Sequence, residues 1–151
     1  MRLLVQRVRH ASVTVDDNMI GQISKGFLVF VGVSDTDTHQ IADKMLEKLL
    51  KLRIFEDSEG KTNLSLQDIN GELLIVSQFT LYADCRKGNR PSFTSAGNPQ
   101  YAQELYEYMI QGAREKGFHT EHGSFGAQMQ VFLENDGPFT IWLDSEELKY
   151  T

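Results

Sequence analysis

Cysteine is almost missing from this chain: Cys85 is the only one in 151 residues. No intrachain disulfide can form, and an unpaired thiol suits a reducing compartment, so a cytoplasmic protein is expected. Long apolar runs are missing too. The segment Met1-Arg2-Leu3-Leu4-Val5-Gln6-Arg7-Val8-Arg9-His10 is broken by charge every few residues, unlike a signal peptide, and reads as a first strand. No window reaches transmembrane length, so no membrane partner is expected. Positive charge is scarce as well. With 15 Lys and Arg against 21 Asp and Glu, the formal net charge is −6, which argues against a protein that coats nucleic acid through a broad basic face. A local contact with an RNA end is still possible. The cations that exist gather at Arg2, Arg7 and Arg9, and again at Arg86, Lys87 and Arg90; clusters of this kind are ordinarily solvated surface.

The familiar catalytic signatures are also missing. No Gly-x-Ser-x-Gly elbow presents a nucleophile, and no glycine-rich loop before a helix cradles a phosphate. His122-Gly123-Ser124-Phe125-Gly126 has the glycines but precedes a strand. His119 and His122, three residues apart on a strand, point to opposite faces and cannot ligate one metal together. His10 and His39 fall at a strand end and a helix start with no second ligand at suitable spacing, and read as surface residues. No acidic pair stands out for acid-base work.

What is present is an ordinary globular composition. Apolar residues make up 40 %, with nine Phe and five Tyr, more aromatic and branched content than a disordered chain carries. The length suits a single domain over residues 1–151 with its own core. Strands are expected at Leu3 to Val8, Ala11 to Val15, Met19 to Ile23 and Phe27 to Val33. The last of these is apolar without alternation and must be covered on both faces. Ile41, Met45, Leu49 and Leu52 form one helical stripe, and Asp37 followed by Gln40 resembles a capping box at its start. Leu73-Leu74-Ile75-Val76 is a second doubly apolar strand. Asp84 to Gly97 reads as a long loop. A second helix opens at Asn98-Pro99, buries Tyr101, Leu105, Tyr108 and Met109, and closes at Lys116-Gly117. Strands return at His119 to His122, Ala127 to Leu133 and Phe139 to Leu143. The order strands-helix-strands-helix-strands, with two strands buried on both sides, predicts a three-layer α/β/β domain.

Two segments are unusual for their surroundings. Ser77-Gln78-Phe79-Thr80-Leu81 ends an apolar strand with polar side chains, which is either a functional turn or a Ser/Thr pair across a sheet. Asn135-Asp136-Gly137-Pro138-Phe139-Thr140 reads as a tight turn between two strands, which as a bare Gly-Pro would ordinarily be a hairpin.

Taken together, these segments and the Phe125-Gly126-Ala127-Gln128-Met129 block resemble the D-aminoacyl-tRNA deacylase family, over essentially the whole chain and with no departure at the family's key positions. A related branch carries Pro-Gln-Ala-Thr in place of Ser-Gln-Phe-Thr, so the form here is similar to the D-specific branch. The resemblance implies a homodimer with active sites at the interface, no metal and no cofactor, and a substrate that is the 3′ acceptor end of aminoacyl-tRNA. It implies that Gly137-Pro138 is cis and reaches into the partner's pocket as a chirality filter. Ser77, Gln78, Phe79 and Thr80 become the catalytic block, with backbone N–H groups at Phe79 and Thr80 as oxyanion donors. Phe125, Gly126, Ala127 and Met129 become walls of a pocket for the terminal adenosine, although a plain buried strand would use the same residues. Asn135 and Thr140 join the substrate-binding set, and Arg7 becomes a support for the Gly-Pro segment, against the plain reading of a surface charge.

The implied selectivity is steric. With the ammonium group held by carbonyls near Gly137-Pro138 and the ester carbonyl held elsewhere, the other two directions at the α-carbon are fixed. A D side chain then points to solvent and an L side chain strikes the wall, while glycine passes. Thr80 is either a nucleophile, for which no base is evident, or an orienting hydroxyl beside RNA-assisted attack by water through the terminal 2′-hydroxyl. Two other functions stay open: an RNA-independent D-amino-acid esterase, and a non-catalytic dimer that binds tRNA ends.

Overall fold

The computed structural model describes residues 1–151. Its first strand, β1 (Arg2–Val15), organises the rest. Along one edge, the first half of β1 pairs antiparallel with β3 (Gly26–Gly32) and the second half with β2 (Asn18–Ile23). The opposite edge pairs over its whole length with the last strand, β8 (Gln130–Asp144). Beyond β3, the sheet continues in parallel with β6 (Glu72–Ser77) and then β7 (Thr120–His122). A small ribbon of β4 (Phe55–Glu56) and β5 (Thr62–Leu64) stands apart.

Burial explains the two unalternating apolar runs. Phe27, Val29, Val31, Leu73 and Ile75 face a 24-residue cluster shared with the helices α1 (His39–Lys51) and α2 (Pro99–Glu115). Leu28, Leu74 and Val76 face a second cluster with Val8, Ala11, Val13 and Ile23. In β1, Leu3 and Val5 lie on the helix side and Val8 on the other. A register shift between Val8 and His10 then changes the parity, so Ala11 and Val13 join Val8 in the second cluster. This irregularity folds the far half of β1, with β2 and the start of β8, over the sheet. This folded-over ribbon of β1, β2 and β8 lies so close that a Cβ on Gly21, in β2, would sit 2.9 Å from the carbonyl oxygen of His122. Helices, sheet and folded-over ribbon are therefore the three layers expected from the sequence, but one continuous sheet supplies both β layers.

Local details differ from expectation in instructive ways. The cap of α1 is Thr38, whose Oγ1 accepts from the Ile41 amide. Asp37 is occupied elsewhere: it is buried, ion-paired with the Met1 amino group, and accepts from the Ser34 amide at 2.8 Å. The cap of α2 is Asn98, accepting from the amides of Gln100 and Tyr101, with Pro99 in the first turn. Its buried stripe is Leu105, Tyr106, Met109, Ile110 and Ala113, whereas Tyr108 lies at the surface and donates to Asp43. Phe125 to Met129 form a turn and open loop before β8 rather than part of a strand.

Backbones approach closely at Gly26, where β3 begins beside β6. A Cβ there would lie 1.9 Å from the backbone oxygen of Glu72, in a position where no flexible side chain could give way. Gly26→Ala is expected to lower the unfolding free energy by about 3 kcal/mol, the upper range for overpacking a close-fitted interior. Urea denaturation checks this, and an unchanged midpoint would show that β3 and β6 separate freely.

Candidate active site

The end of β6 changes character at Ser77. Gln78 donates its amide to the carbonyl of Val31, and the chain then leaves the sheet in a 3-10 turn, Phe79–Tyr82. Amides that open such a turn have no intrahelical acceptor. Here the first of them belong to Phe79 and Thr80, and both side chains are exposed, Phe79 at 57 %. The Thr80 hydroxyl accepts from Gln78 Nε2 at 2.6 Å. No imidazole, carboxylate or amine is bonded to it, so nothing at hand would take its proton. The exit of the turn is fixed by Arg2, which donates to the Leu81 carbonyl at 2.9 Å while its guanidinium lies over the Tyr82 ring.

The Phe125 block stands beside the last residues of β6 in the same chain. His122 in β7 pairs with Ile75, and both the Gly123 amide (3.2 Å) and the Tyr106 hydroxyl (2.7 Å) donate to the Ile75 carbonyl, two residues before Ser77. Phe125 packs at 6.0 Å from the Tyr106 ring, and both line a cleft of about 580 Å³ with Ser124, Gly123 and Arg114. Burial raises the pKa of the Tyr106 hydroxyl well above its usual value, so it stays a neutral donor. Gly126 adopts a positive φ of 77°. Ala127 is half-buried, and Met129 packs with Val76 in the second cluster while its sulfur accepts from the Ser124 amide at 3.3 Å.

The Gly137-Pro138 segment lies elsewhere, and its form differs from the expected turn between two strands. Both flanks pair with the same strand: Asn135 stands opposite Val8 and Thr140 opposite Gln6. Asp136 to Phe139 therefore bulge out of β8 opposite the single residue Arg7. The reason is a set of polar and packing contacts at the base. Asn135 accepts from the Phe139 amide at 2.7 Å, and its Nδ2 lies within hydrogen-bond distance of Gln6, the Phe139 carbonyl and the Thr140 hydroxyl. Arg7 is 7 % exposed and so is not a surface charge. Its Nε donates to the Asp136 carbonyl at 2.8 Å, its Nη1 to the Ile54 carbonyl at 2.6 Å, and its guanidinium lies over the Phe139 ring at 4.6 Å. At the tip, Gly137 and Pro138 are exposed and joined by a cis peptide bond. A Cβ on Gly137 would lie 2.3 Å from the Phe139 amide nitrogen, so this shape admits only glycine there.

The Phe125 block thus packs beside the end of β6 that leads into the Ser77 block, whereas the Gly137-Pro138 segment sits on β8 opposite Arg7. Gln6 and Tyr106 were not foreseen as participants. Gln6 is visible only once β1 and β8 are paired, and Tyr106 could have been found as a tyrosine one residue beyond Leu105 on the same buried helix face.

An exposed turn whose first amides have no intrahelical acceptor, a cleft lined by Tyr106 and Phe125, and a main-chain excursion held by Arg7 and Asn135 are the features from which a site could be built. The chain also has relatives of known kind. A family profile described as D-Tyr-tRNA(Tyr) deacylase matches residues 4–144, and the chain belongs to that family. It is 56 % identical over 147 residues to the D-aminoacyl-tRNA deacylase of Clostridioides difficile, covering 97 % of this chain and 99 % of that one. To the D-aminoacyl-tRNA deacylase of Lactobacillus acidophilus it is 55 % identical over 144 residues, covering 95 % and 99 %. Among solved structures, it resembles a c-Myc DNA unwinding element binding protein with a TM-score of 0.91 and 42 % identity, covering 96 % of this chain and 99 % of that one.

Arg7→Ala would strip donors from two carbonyls beneath the excursion. It is expected to lower the unfolding free energy by about 3 kcal/mol, typical of leaving buried acceptors unsatisfied. Chemical denaturation with an amide spectrum shifted at Asp136 to Phe139 checks it. A loss below about 0.5 kcal/mol, the range of ordinary surface substitutions, would contradict the support role.

Proposed function

We propose that this enzyme hydrolyses the ester bond of D-aminoacyl-tRNA, releasing the free D-amino acid and tRNA, and rejects L-aminoacyl-tRNA by collision with the Gly137-Pro138 segment of a second subunit. Family membership supports the reaction. The observation that carries the two-subunit site is separation within one chain. Ser77 aligns through Val31 and Leu3 with Leu143, whereas the excursion aligns with Arg7, Phe27 and Leu73. Four residues along the strands and three strands across amount to roughly 13 Å and 14 Å at ordinary sheet spacings. One aminoacyl group cannot touch both. A symmetric copy can supply the missing part, because β8 leaves its outer edge unpaired and exposes Phe132 and Trp142, features that two-fold association would cover.

In this site, the ester carbonyl sits over the turn, and the amides of Phe79 and Thr80 stabilise the oxyanion formed when water attacks. The C–O bond to the ribose then breaks, the amino acid leaves as carboxylate, and the terminal adenosine regains its hydroxyl. The 2′-hydroxyl of that adenosine assists the attacking water, since no side chain near Thr80 serves as base. Phe125, Gly126, Ala127 and Met129 border the adenosine. Carbonyls of the partner's excursion hold the ammonium group, and Asn135, Thr140 and Arg7 fix the excursion's base. Glycyl-tRNA passes the filter because it presents nothing to collide. Such an enzyme acts in translation proofreading and belongs in the cytoplasm.

Kinetics on D-tyrosyl-tRNA, L-tyrosyl-tRNA and glycyl-tRNA test the reading. The D and glycyl esters are expected to be hydrolysed and the L ester spared, and equal cleavage of the D and L esters would sink it. Two substitutions divide the roles at Thr80. Thr80→Ala removes only the hydroxyl and should keep kcat within about tenfold. Thr80→Pro removes the amide donor and should cost about 10²–10³ in kcat, as loss of one oxyanion donor does. The reverse order would make the hydroxyl the nucleophile.

A further inference from the structure

Residues 83–97 were unexplained by the catalytic reading, and the structure ties them to the turn. Asp84 and Ser92 exchange backbone hydrogen bonds of 2.7 and 2.9 Å, which close the chain between them into a loop. The loop begins directly after the Phe79–Tyr82 turn, and the Ala83 amide donates to the Thr80 carbonyl at 3.0 Å. Beyond it, Phe93 packs edge-on against Phe79 with ring centres 5.1 Å apart. All residues from Cys85 to Ser92 are exposed, and no acidic residue occurs between Cys85 and Gly97. In a chain of formal charge −6, this is a local positive surface beside two exposed aromatic rings.

The three cations are not equivalent. Arg86 is clamped by Asp84 through bonds of 2.9 and 2.7 Å, and the same guanidinium holds the Asp84 carboxyl down to about 2. Arg86 is therefore largely neutralised and stiffens the loop. Lys87 and Arg90, flanking Gly88 at a positive φ of 67°, form no ion pair. A basic loop beside exposed aromatic rings suits a single-stranded nucleic acid, with phosphates on the cations and an unpaired base against a ring.

We propose that the 84–92 loop grips the backbone of the single-stranded 3′ end of the substrate RNA, with Lys87 and Arg90 binding phosphates just upstream of the esterified nucleotide and Phe93 offering a face to an unpaired base. This rests on the aminoacyl-tRNA reading and adds to it the residues that recognise the RNA.

The test compares D-tyrosyl-tRNA with the isolated nucleoside ester, 3′-O-D-tyrosyl-adenosine, which has no phosphate. For K87A/R90A, KM for D-tyrosyl-tRNA is expected to rise on the order of tenfold at low salt with kcat unchanged. The log–log salt dependence of kcat/KM should become shallower by about 1.4, as two lost single-strand phosphate contacts require. Hydrolysis of the nucleoside ester should be unaltered. The charge-preserving variant K87R/R90K should keep both the KM and the salt slope. An unchanged KM and slope for K87A/R90A overturns the proposal, as does an equal loss on both substrates, which would make the loop a support for the turn. A lack of preference for D-tyrosyl-tRNA over the nucleoside ester in the unsubstituted enzyme also overturns the proposal, whereas failure of the underlying reading shows as no hydrolysis of either D-tyrosyl ester.

Discussion

A buried guanidinium facing a break in strand pairing is the constraint on which the shape of the Gly137-Pro138 excursion depends. Arg7 stands alone on β1 opposite Asp136 to Phe139 on β8, and the mismatch forces that segment out of the sheet. Such a bulge would ordinarily leave carbonyls without partners, and burying them unpaired is costly. Arg7 supplies donors to Asp136 and Ile54, and Asn135 ties the two ends of the excursion together. The exposed tip is thus main chain held from below at several points. A wall of this kind can reject a ligand by shape because it has few ways to yield.

The same strand pair sets the rest of the architecture. β1 bends near His10, so one sheet provides both the middle and the outer layer, and the doubly buried strands β3 and β6 are pinned between helices and ribbon. β6 emerges from that packing at Ser77 on a rigid base, which lets a short turn present backbone amides without a large supporting side-chain network. The turn and the excursion lie at different ends of one sheet, and in the proposed dimer the free edge of β8 gives a second copy a route to join them. In the proposed grip, the basic loop after the turn adds affinity for the long part of the substrate without touching the reacting atoms.

Much of this could be read from residue order, for identifiable reasons. The unalternating runs Phe27 to Val33 and Leu73 to Val76 required cover on two faces, and the two clusters supply it. Asn98-Pro99 marked a helix start because cap and first-turn chemistry are local. What escaped was non-local. Asp37 resembled a cap, but a buried ion pair with the Met1 amino group drew it away and left the role to Thr38. Gly137-Pro138 resembled a turn between paired strands because its local signals are the same, and only the shared partner β1 shows a bulge instead. By its own neighbours Arg7 resembled a surface charge, and only the family resemblance cast it as a support, because its carbonyl acceptors at Asp136 and Ile54 are distant in sequence.

Mixed dimers test the central claim most directly. One subunit would carry Thr80→Pro, which removes the oxyanion amide, and the other Gly137→Arg, which the excursion's shape does not admit and which therefore displaces the carbonyls that hold the ammonium group. Each homodimer should be inactive on D-tyrosyl-tRNA. Random mixing in equal amounts should restore about a quarter of the unsubstituted activity, because half the two-fold dimers then contain one turn and one wall that are both intact. No recovery on mixing, with mixed dimers shown to form, would mean that turn and wall serve the same subunit and would contradict the account.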